Sequence, residues 1–479
     1  MKILHVPYSF YPDPVGGTEV YVAALARHLQ QLQYSVVVAA PGRQDDSYEY
    51  RGIPVRRYTV SAVKGGLRDL YGEGDESAAR AFGKILEAER PDMLHLHAFT
   101  RGVSLRLVRT ASARGIPVVF TYHTPTVTCQ RGTMMRWGTE CCDGLMDLHS
   151  CTRCTIDGLF VGRRYNQQDA AIQKRTVRVT RSKAEKVVAH LIGSLPATFG
   201  SRLGQHNLQG THWTALRMTE LVQLRHTAVR ALLSEVKHVV AVCQWVKEVL
   251  ILNGIPERKI TLCRQGVAEE SGIGRPKLEQ FSRDRHSPLR IAFLGRFDPA
   301  KGVHILIQAV RSVPGLSLRL DIYGVRQDEG GQYERELRRM AAADARIEFH
   351  RPVAGTQVIS TLRNYDLLAV PSQCLETGPL VVLEAFAAGV PVIGSQLGGI
   401  AELVRNGVDG VLIAAGDVDR WAITIRRLCE DTSLIERLRK NISPPRRMSS
   451  VASEMAALYE HVQAQHGDPG HQSTVALSN

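Results

Sequence analysis

The chain has 479 residues, of which 44% are hydrophobic and 22% charged, and its formal net charge is +13 at pH 7. This composition excludes an intrinsically disordered chain, and the length predicts two domains of ordinary size. No window contains the roughly 20 consecutive apolar residues that a membrane-spanning helix requires. The N-terminal sequence MKILHVPYSF lacks the features of a signal peptide, so we expect a cytoplasmic protein.

The first part of the chain alternates short β-rich runs with helical patterns, which is typical of a parallel α/β sheet. KILHV predicts a buried first strand, and apolar residues at helical spacing predict a helix over GGTEVYVAALARHLQQL. Further strands are predicted in SVVVAAP, MLHLHA, IPVVFTY, HVVAVC and KITLC. We therefore assign residues 1–267 to one Rossmann-like domain, with an insertion from about residue 124 to residue 235.

A polar segment over residues 268–288 interrupts this alternation and predicts an interdomain linker. Strands are predicted again in LRIAFLGR, LSLRLDIYG, RIEFH, DLLAVPS, VPVIGS and DGVLI, so residues 289–445 should form a second Rossmann-like domain. An apolar stripe predicts a helix over residues 446–465 that packs back on the first domain. Residues 466–479 are expected to be disordered.

Two glutamates flank a helix start in CLETGPLVVLEAFAAGVPVIG, which begins at Cys374. Pro379 suits the first helical position, so Gly378 should lie at a helix N-terminus that follows a strand, where N–H groups favour phosphate. Glu376 precedes the helix and Glu384 lies within it, and a carboxylate can accept two hydrogen bonds from a vicinal diol. A nucleotide sugar has a diol at each end and phosphates between, so the layout predicts such a ligand.

The segment FLGRFDPAKGV supplies positive charge for the phosphates. Arg296 is predicted at a strand end and Lys301 at the start of the following helix, which Asp298 should cap. Two fixed cations beside a diphosphate would stabilise the charge that develops as it leaves.

GRFDPAKG, followed by CLETGPLVVLEAFAAGVPVIGSQLGGIAELV, resembles the C-terminal half of glycosyltransferase family 4. GGTE in the first helix turn, and YHT after the strand that ends at Thr121, are similar to the N-terminal half of the same family. The resemblance extends over residues 1 to about 123 and about 236 to 430, and it is weak from 155 to 235. It implies the GT-B architecture, in which two Rossmann-like domains face each other across a cleft and a C-terminal helix crosses back to the first domain.

The resemblance also implies a reaction. A retaining glycosyltransferase would move a sugar from a nucleotide-diphosphate sugar to a hydroxyl of a glycan or lipid-linked acceptor, most simply by front-face displacement. Cell-surface polysaccharide or glycoconjugate synthesis is the implied setting. The DVD triplet at residues 417–419 is better explained by helix capping than by metal binding, so no catalytic divalent metal is expected.

The same resemblance implies roles for single residues. Glu384 would hold the ribose diol, and Glu376 would contact the transferred sugar. The diphosphate would be held by the side chains of Arg296 and Lys301 and by the backbone N–H groups of Gly378 and Leu380. The sugar would contact His123 at the reacting centre. Gly16 and Gly17 would let a loop approach the ligand closely. The alternative for the two glycines is a plain strand-to-helix turn, and His95 is predicted to pack within the sheet.

Five of the nine cysteines fall between residues 129 and 154. In a reducing compartment such clustering is typical of a structural metal site, with zinc as the first choice and an iron–sulfur cluster as the alternative. We predict the ligands Cys129, Cys142, Cys151 and Cys154. Cys142 is preferred to Cys141 because its Cys-Asp-Gly turn resembles one in cysteine-bearing members of the family. The other interpretation is a group of unligated reduced thiols.

Lysine and arginine cluster between Arg163 and Lys186, where only two acidic residues oppose them. A solvated helix face explains this cluster as well as attraction to an anionic membrane surface or to substrate phosphates does. Nucleic acid is not the expected partner, because aromatic residues are sparse in this segment.

Two further functions fit the implied fold. Nucleotide-sugar 2-epimerases bind the same kind of ligand, although the insertion is larger than a small-substrate enzyme needs. A non-catalytic binding subunit would have no need of all four charged residues in the predicted donor site. The sequence leaves the sugar, the base and the acceptor open.

Overall fold

Two sheets of mainly parallel strands form the framework of the protein. The structure, a computed structural model, describes residues 1–13, 16–61, 67–167, 215–268, 287–326 and 331–467. Most of the predicted linker and of the basic cluster lies outside these residues. Within the described ranges, no helix is both long and apolar enough to cross a lipid bilayer.

The first sheet has eight strands, and all neighbouring strands are parallel except β3 and β4. The strands are β1 (Lys2–Val6), β2 (Ser35–Gly42), β3 (Asp46–Tyr50), β4 (Ile53–Thr59), β5 (Met93–Leu96), β6 (Val118–Tyr122), β9 (His238–Ala241) and β10 (Ile260–Leu262). Their spatial order is β10-β9-β6-β5-β1-β2-β4-β3. A separate small hairpin consists of β7 (Met135–Arg136) and β8 (Glu140–Cys141).

Six strands of the first sheet were predicted, and the hairpin of β3 and β4 was missed. β3 is the edge strand and has no fully buried residue. β4 alternates buried and half-buried residues along most of its length. Neither strand shows the continuous apolar run of a central parallel strand, so the pattern that identified the other six was absent here.

The second sheet has six strands, all parallel, and each of them was predicted. Its spatial order is β13-β12-β11-β14-β15-β16. The strands are β11 (Leu289–Arg296), β12 (Leu318–Val325), β13 (Ile347–His350), β14 (Leu367–Val370), β15 (Val392–Ser395) and β16 (Gly410–Ile413).

Helices connect the strands and pack on the sheets. In the first half they are α1 (Gly17–Gln31), α2 (Leu67–Tyr71), α3 (Glu76–Glu89), α4 (Leu105–Ser112), α5 (Leu148–Gln167), α6 (Met218–Glu235) and α7 (Gln244–Leu252). In the second half they are α8 (Val303–Arg311), α9 (Gln332–Ala341), α10 (Val358–Leu362), α11 (Leu380–Ala388), α12 (Gly398–Leu403), α13 (Val418–Glu430) and α14 (Thr432–Lys440). The chain ends in α15 (Met448–Gly467), and short 3-10 turns lie at Pro125–Val127, Glu257–Lys259, Pro299–Lys301 and Gly355–Gln357.

Helix α15 leaves the second domain and packs on the first, as predicted. Its apolar stripe, from Met448 through Met455 to Val462, is buried in one cluster with residues of β1, β2 and α1. The helix ends at Gly467, so the predicted disordered tail lies almost wholly outside the described residues. The chain therefore crosses between the two domains twice, once after the first domain and once before α15.

These two crossings lie side by side. Val267 pairs with Arg447 in an isolated parallel bridge, and the N–H of Val267 donates to the carbonyl oxygen of Arg446 at 2.9 Å. A Cβ on Gly266 would lie 2.6 Å from the backbone of Arg447, so only glycine permits this approach.

Candidate active site

The predicted site residues of both domains follow the carboxyl ends of parallel strands. His123 comes directly after β6, Arg296 ends β11, and the segment around Glu376 follows β14. Three hydrogen bonds join this segment to the first domain: Thr377 Oγ1 donates to the carbonyl oxygen of His123 (2.5 Å), Leu375 N to that of Thr133 (2.9 Å), and Trp245 Nε1 donates to that of Glu376 (2.9 Å). The site is thus built at the interface of the two sheets.

Glycines allow the backbone of Glu376 to lie against helix α12. Gly399 N donates to the carbonyl oxygen of Glu376 at 2.6 Å, and a Cβ on Gly399 would lie 2.2 Å from the nitrogen of Gly378. Gly378 itself has a φ of +102°, which disfavours any other residue. The Gly-Gly pair at 398–399, which carried no assigned role in the sequence, is therefore part of the construction of the site.

Helix α11 begins one residue later than predicted. Pro379 is its N-cap, with a φ of −65° and a ψ of 124°, and Leu380 is the first helical residue. Pro379 therefore lies just outside the helix, because its extended ψ follows the sharp turn at Gly378. The helix ends as predicted at Gly389, which has a left-handed φ of +75°. The first-turn N–H groups near Gly378 and Leu380 have no intrahelical acceptors, as in any helix.

Lys301 and Glu376 form an ion pair in the cleft. Lys301 Nζ lies 2.5 Å from Glu376 Oε1, which also accepts from Ser372 Oγ at 2.8 Å, and the side chains are 20% and 13% exposed. Burial alone would raise the pKa of Glu376, but the charge of Lys301 and these hydrogen bonds hold it below the usual value. Burial would lower the pKa of Lys301, and Glu376 raises it instead. Both groups therefore carry their charges at neutral pH.

The prediction placed Lys301 at the start of a helix, and this is wrong in detail. Lys301 ends a 3-10 turn, Pro299–Lys301, which Asp298 caps by accepting from Ala300 N at 2.8 Å. Gly302, with a φ of +70°, then starts α8. Because Pro299 and Gly302 bound the turn, the chain makes a short tight loop before the α-helix begins.

Glu384 is a half-buried carboxyl in α11. Burial alone raises its pKa to about 7, and no charged or hydrogen-bonding group of the described residues offsets this shift. A carboxylate in such a place has its hydrogen-bonding capacity available for a ligand.

Arg296 and Glu19 bring opposite charges to the two sides of the cleft. Arg296 is exposed, and its charge lowers the pKa of both Glu376 and Glu19, although burial raises the pKa of Glu19 overall. Glu19 Oε2 accepts from Gly16 N at 2.8 Å, which caps α1. Glu19, the last residue of GGTE, therefore has a capping role that was not predicted, although its position three residues after Gly16 is that of a capping box.

Neither the backbone conformation nor the packing of the protein requires glycine at positions 16 and 17. Gly16 has an extended backbone, with a φ of −108°, and caps α1. A Cβ on Gly17 would meet only Leu380 Cδ1, at an ordinary contact distance of 3.8 Å. Gly17 nevertheless faces the start of α11 across the cleft, so the idea that these glycines leave room for a ligand stays a prediction.

His123 is the end of a buried chain of histidines. His97 Nδ1 lies 3.0 Å from His123 Nε2, and His97 Nε2 lies 2.9 Å from His5 Nδ1. Burial lowers the pKa of His5 and of His123 to about 3, so these rings are neutral at physiological pH. Among the described residues, His123 Nδ1 and His5 Nε2 have no hydrogen-bond partner.

His95 packs within the sheet, as predicted. Its Nδ1 lies 2.6 Å from Tyr459 Oη of α15, and its Nε2 lies 2.6 Å from Thr121 Oγ1. Ring nitrogens of His5, His95 and His97 come within 4.8 Å of one another, but all of them except His5 Nε2 are engaged in the hydrogen bonds just described. The DVD triplet acts as predicted, since Asp417 caps α13 by accepting from Arg420 N at 2.9 Å.

The predicted cysteine ligands line one cavity beside the cleft, namely Cys129, Cys142, Cys151 and Cys154. Cys141, which the prediction set aside, is exposed and does not line it. Burial raises the pKa of the Cys151 thiol to about 12, and the other three cysteines of the cavity add to this shift. The structure thus places all four predicted cysteines around one cavity, and metal binding there stays a prediction.

Two family descriptions match separate parts of the chain. Residues 15–145 match the family described as "Glycosyltransferase Family 4", and residues 275–443 match "Glycosyl transferases group 1". The D-inositol 3-phosphate glycosyltransferase of Mycobacterium marinum is 31% identical over 186 residues, and that of Mycobacterium tuberculosis (strain H37Ra) is 30% identical over 196. These alignments include 37% and 38% of this chain, and they span only 39% and 38% of the relatives' own length.

Solved structures share the whole fold. Anabaena Alr3699/HepE, in complex with UDP and glucose, has a TM-score of 0.59 at 19% identity, with 96% of this chain and 99% of that chain covered. Sucrose-phosphate synthase from Thermosynechococcus elongatus has a TM-score of 0.62 at 17% identity, with 97% and 99% covered. At such low identity these likenesses establish the arrangement of two sheets about a cleft.

Proposed function

Because the chain belongs to glycosyltransferase family 4 and has the GT-B fold, we propose that its cleft transfers a sugar from a nucleotide-diphosphate sugar to an acceptor hydroxyl, with retention of configuration. The observation that carries the proposal is the Lys301–Glu376 pair, which Thr377 holds against the backbone of His123. A cation for the diphosphate, a carboxylate for sugar hydroxyls and a histidine from the other domain then lie together.

The donor would lie across the start of α11. The ribose diol would bind the carboxylate of Glu384, which has no partner among the described residues. The diphosphate would lie by Arg296, Lys301 and the N-terminus of α11, where N–H groups at Gly378 and Leu380 favour anions. A relative of this fold crystallised with UDP and glucose supports a ligand of this class.

The sugar would lie between Glu376 and His123. Glu376 is already held by Lys301 and Ser372, so its charge and position are set before the ligand arrives. A carboxylate committed to two such partners is better suited to accept hydrogen bonds from sugar hydroxyls than to attack the anomeric carbon. We therefore favour front-face displacement, in which the leaving phosphate oxygen takes the proton of the acceptor hydroxyl.

Charge stabilisation then comes from fixed groups. As the bond between sugar and phosphate breaks, negative charge grows on the diphosphate, and Arg296 and Lys301 would stabilise it. For this reason we propose that the chemical step needs no divalent metal, so that added Mg²⁺ or Mn²⁺ should not raise the activity. Gly16 and Gly17, which precede the capping Glu19, would let the first domain close over the reacting sugar and exclude water.

We further propose a glycan or lipid-linked acceptor at the inner face of a membrane. The support is the excess of 60 basic over 47 acidic residues, because a positive surface is attracted to anionic lipid head groups. Retention of the protein on vesicles containing phosphatidylglycerol, and its release by salt, would test this location.

The first test of the function is calorimetric titration with UDP, GDP and ADP. One nucleotide should bind with a micromolar dissociation constant, and Glu384→Ala should weaken it by about tenfold or more, because the ribose hydrogen bonds are lost. Glu436→Ala, at an exposed helix position of the same domain, is the matched control and should bind like wild type. Absence of binding, or equal binding by both variants, would overturn the proposal.

A second assay distinguishes transfer from isomerisation. The matching nucleotide sugar is incubated alone and then with a mixed acceptor extract. Release of nucleotide that depends on acceptor supports the transferase, whereas an epimerised sugar formed from donor alone would show that the site is an isomerase.

A further inference from the structure

We propose that Cys129, Cys142, Cys151 and Cys154 bind one zinc ion, and that this ion holds the loop of residues 129–154 against the donor segment Leu375–Thr377. The proposal of a metal site is supported by the geometry of the loop alone. Its effect on donor binding rests on the function proposed above.

The four cysteines come from three local structures that surround one cavity. Cys151 and Cys154 lie three residues apart in the first turns of α5, so their side chains share one helix face. Cys129 follows the 3-10 turn Pro125–Val127, and Cys142 follows β8. All four line the same cavity. A tetrahedral zinc ion needs four ligands of this kind around one cavity.

Backbone N–H groups are directed at two of the sulfur atoms. Gly144 N lies 3.4 Å from Cys142 Sγ, and Trp137 N lies 3.5 Å from Cys154 Sγ. Gly144 has a φ of +87°, and a Cβ there would lie 2.4 Å from Val249 Cγ2, so the turn after Cys142 requires glycine. Such N–H contacts stabilise negative charge on sulfur and orient metal ligands.

Basic side chains surround the same cavity. Four thiolates and one Zn²⁺ carry a net charge of −2, which would be costly to bury without compensation. Arg131 and Arg136 both line the cavity, and Arg131 Nη1 donates to the carbonyl oxygen of Cys154 at 3.0 Å. Arg131 is also paired with Asp157 at 3.1 Å and Arg136 with Asp143 at 3.3 Å, so the two arginines would offset part of the charge that the filled site would carry.

In this structure the sulfur atoms are not yet at ligating distances from one another. No three of the sulfur atoms lie within 4.8 Å of one another. Two of them instead donate to oxygen atoms of the loop: Cys142 Sγ to Asp143 Oδ1 at 3.7 Å and Cys151 Sγ to the carbonyl oxygen of Leu145 at 3.9 Å. A thiolate cannot donate either bond. Loss of the protons on metal binding would therefore release both side chains to turn toward the ion.

The loop links this cavity to the donor segment. Cys142 N donates to the carbonyl oxygen of Met134 at 2.9 Å, and the neighbouring Thr133 carbonyl accepts from Leu375 N at 2.9 Å. On the other side, Asn253, which caps the C-terminus of α7, donates to the carbonyl oxygen of Gly144 and accepts from the N–H of Met146. An ion that crosslinks the loop would thus fix the acceptor group for Leu375, next to Glu376.

Metal content of the purified full-length chain tests the site. After dialysis against zinc and removal of loosely bound ions, we expect one zinc per chain in wild type and in the control Cys141→Ser, whose thiol is exposed. Cys142→Ser and Cys151→Ser should lose most of it, with a lower melting temperature. Substituted cobalt should show the intense visible bands of tetrahedral thiolate coordination in wild type and in Cys141→Ser, and not in Cys142→Ser or Cys151→Ser.

Several results would overturn the assignment. The assignment fails if the wild-type protein contains no metal, or if Cys142→Ser retains as much zinc as Cys141→Ser. It also fails if the protein contains iron and acid-labile sulfide in place of zinc. If the variants do not fold, the wild-type protein is stripped of metal with a chelator and then reloaded with cobalt. Visible bands after reloading support the site, and their absence would overturn it.

Nucleotide-sugar titration of the zinc-loaded and zinc-depleted protein tests the link to the donor segment. We expect about a threefold to tenfold loss of affinity on depletion, restored by zinc. Equal affinities would disprove the link while leaving the metal count valid. If neither form binds any nucleotide sugar, the proposed function fails and the metal site does not.

Discussion

At the scale of single residues, Glu384 is the group whose ionisation should control ligand binding. Burial raises the pKa of this carboxyl to about 7, compared with about 4.3 in an unfolded chain. The ionised form accepts hydrogen bonds from both hydroxyls of a diol, so affinity for a nucleotide sugar should rise by about tenfold between about pH 6 and about pH 8. A nucleotide sugar suits this titration because its diphosphate does not titrate in the range.

Stability should change in the opposite direction. Because the pKa of Glu384 is higher in the folded state, that state binds more protons between about pH 4 and pH 7, and the free energy of unfolding falls as pH rises through this window. Glu384→Gln should therefore be more stable than wild type at pH 8, by about 1 kcal/mol. Its ligand affinity should not vary with pH. A flat wild-type binding profile would contradict this role.

His97 should act as a positioning residue for His123. A neutral imidazole has one donor and one acceptor nitrogen, and both nitrogens of His97 lie at hydrogen-bonding distance from another histidine. The chain of bonds is therefore directional and sets which nitrogen of His123 carries the proton. His97→Leu should lower kcat by about tenfold to a hundredfold with little change in KM, because His123 loses its orientation.

The matched variant is His97→Gln, which retains a donor and an acceptor and should recover part of the loss. Nitrogen-15 spectra of the histidine rings provide a readout that a purely structural role would not move. A change of the His123 tautomer in His97→Leu is expected. If the leucine and glutamine variants had the same kcat, His97 would have only a packing role.

At the scale of elements, helix α15 should be essential to the first domain. Met455 is 0% exposed and packs in the cluster formed by β1, β2 and α1. Met455→Ala should lower the free energy of unfolding by about 2–5 kcal/mol, whereas Ser453→Ala on the exposed side should change it by less than about 0.5 kcal/mol. Urea unfolding measures the free energy of unfolding of each variant, and hydrogen exchange of the β1 amides shows whether the loss falls on the first domain. Equal stability of the two variants would show that α15 contributes little to the core.

The individual elements were largely predictable, for local reasons. Most of the twelve predicted strands were identified because a central parallel strand is buried on both faces and is a continuous apolar run, as in LLAV of β14. The end of α11 followed from Gly389, and the cap of α13 from Asp417. The misses occurred where local pattern is weakest: at the exposed edge strand β3, and at the turn containing Lys301.

At the scale of the whole molecule, Glu402 should help set the arrangement of the two domains. This residue of α12 accepts from Gln244 N (2.8 Å) and Trp245 N (2.9 Å), so it caps α7 of the other domain. Glu402→Ala removes both bonds and should cost about 1–2 kcal/mol. The radius of gyration measured by X-ray scattering should increase, and affinity for the donor should fall.

The control is Glu430→Ala, at an exposed position near the end of α13. Its scattering curve should match wild type. Added nucleotide sugar should bring the Glu402→Ala curve back toward that of wild type, because the donor contacts both domains in the proposed site. An unchanged curve for Glu402→Ala without ligand would show that other contacts suffice to hold the domains.

By itself, the sequence determined the two Rossmann-like domains, the returning helix and the chemical types at the donor site, because hydrophobic periodicity, turn glycines and caps act over a few residues. Only the tertiary structure decided which groups meet. Lys301 pairs with Glu376 across 75 positions, His5 meets His97 across 92, and Thr377 reaches the backbone of His123 across 254. Such contacts depend on how two sheets pack across a cleft, and no local pattern records that packing.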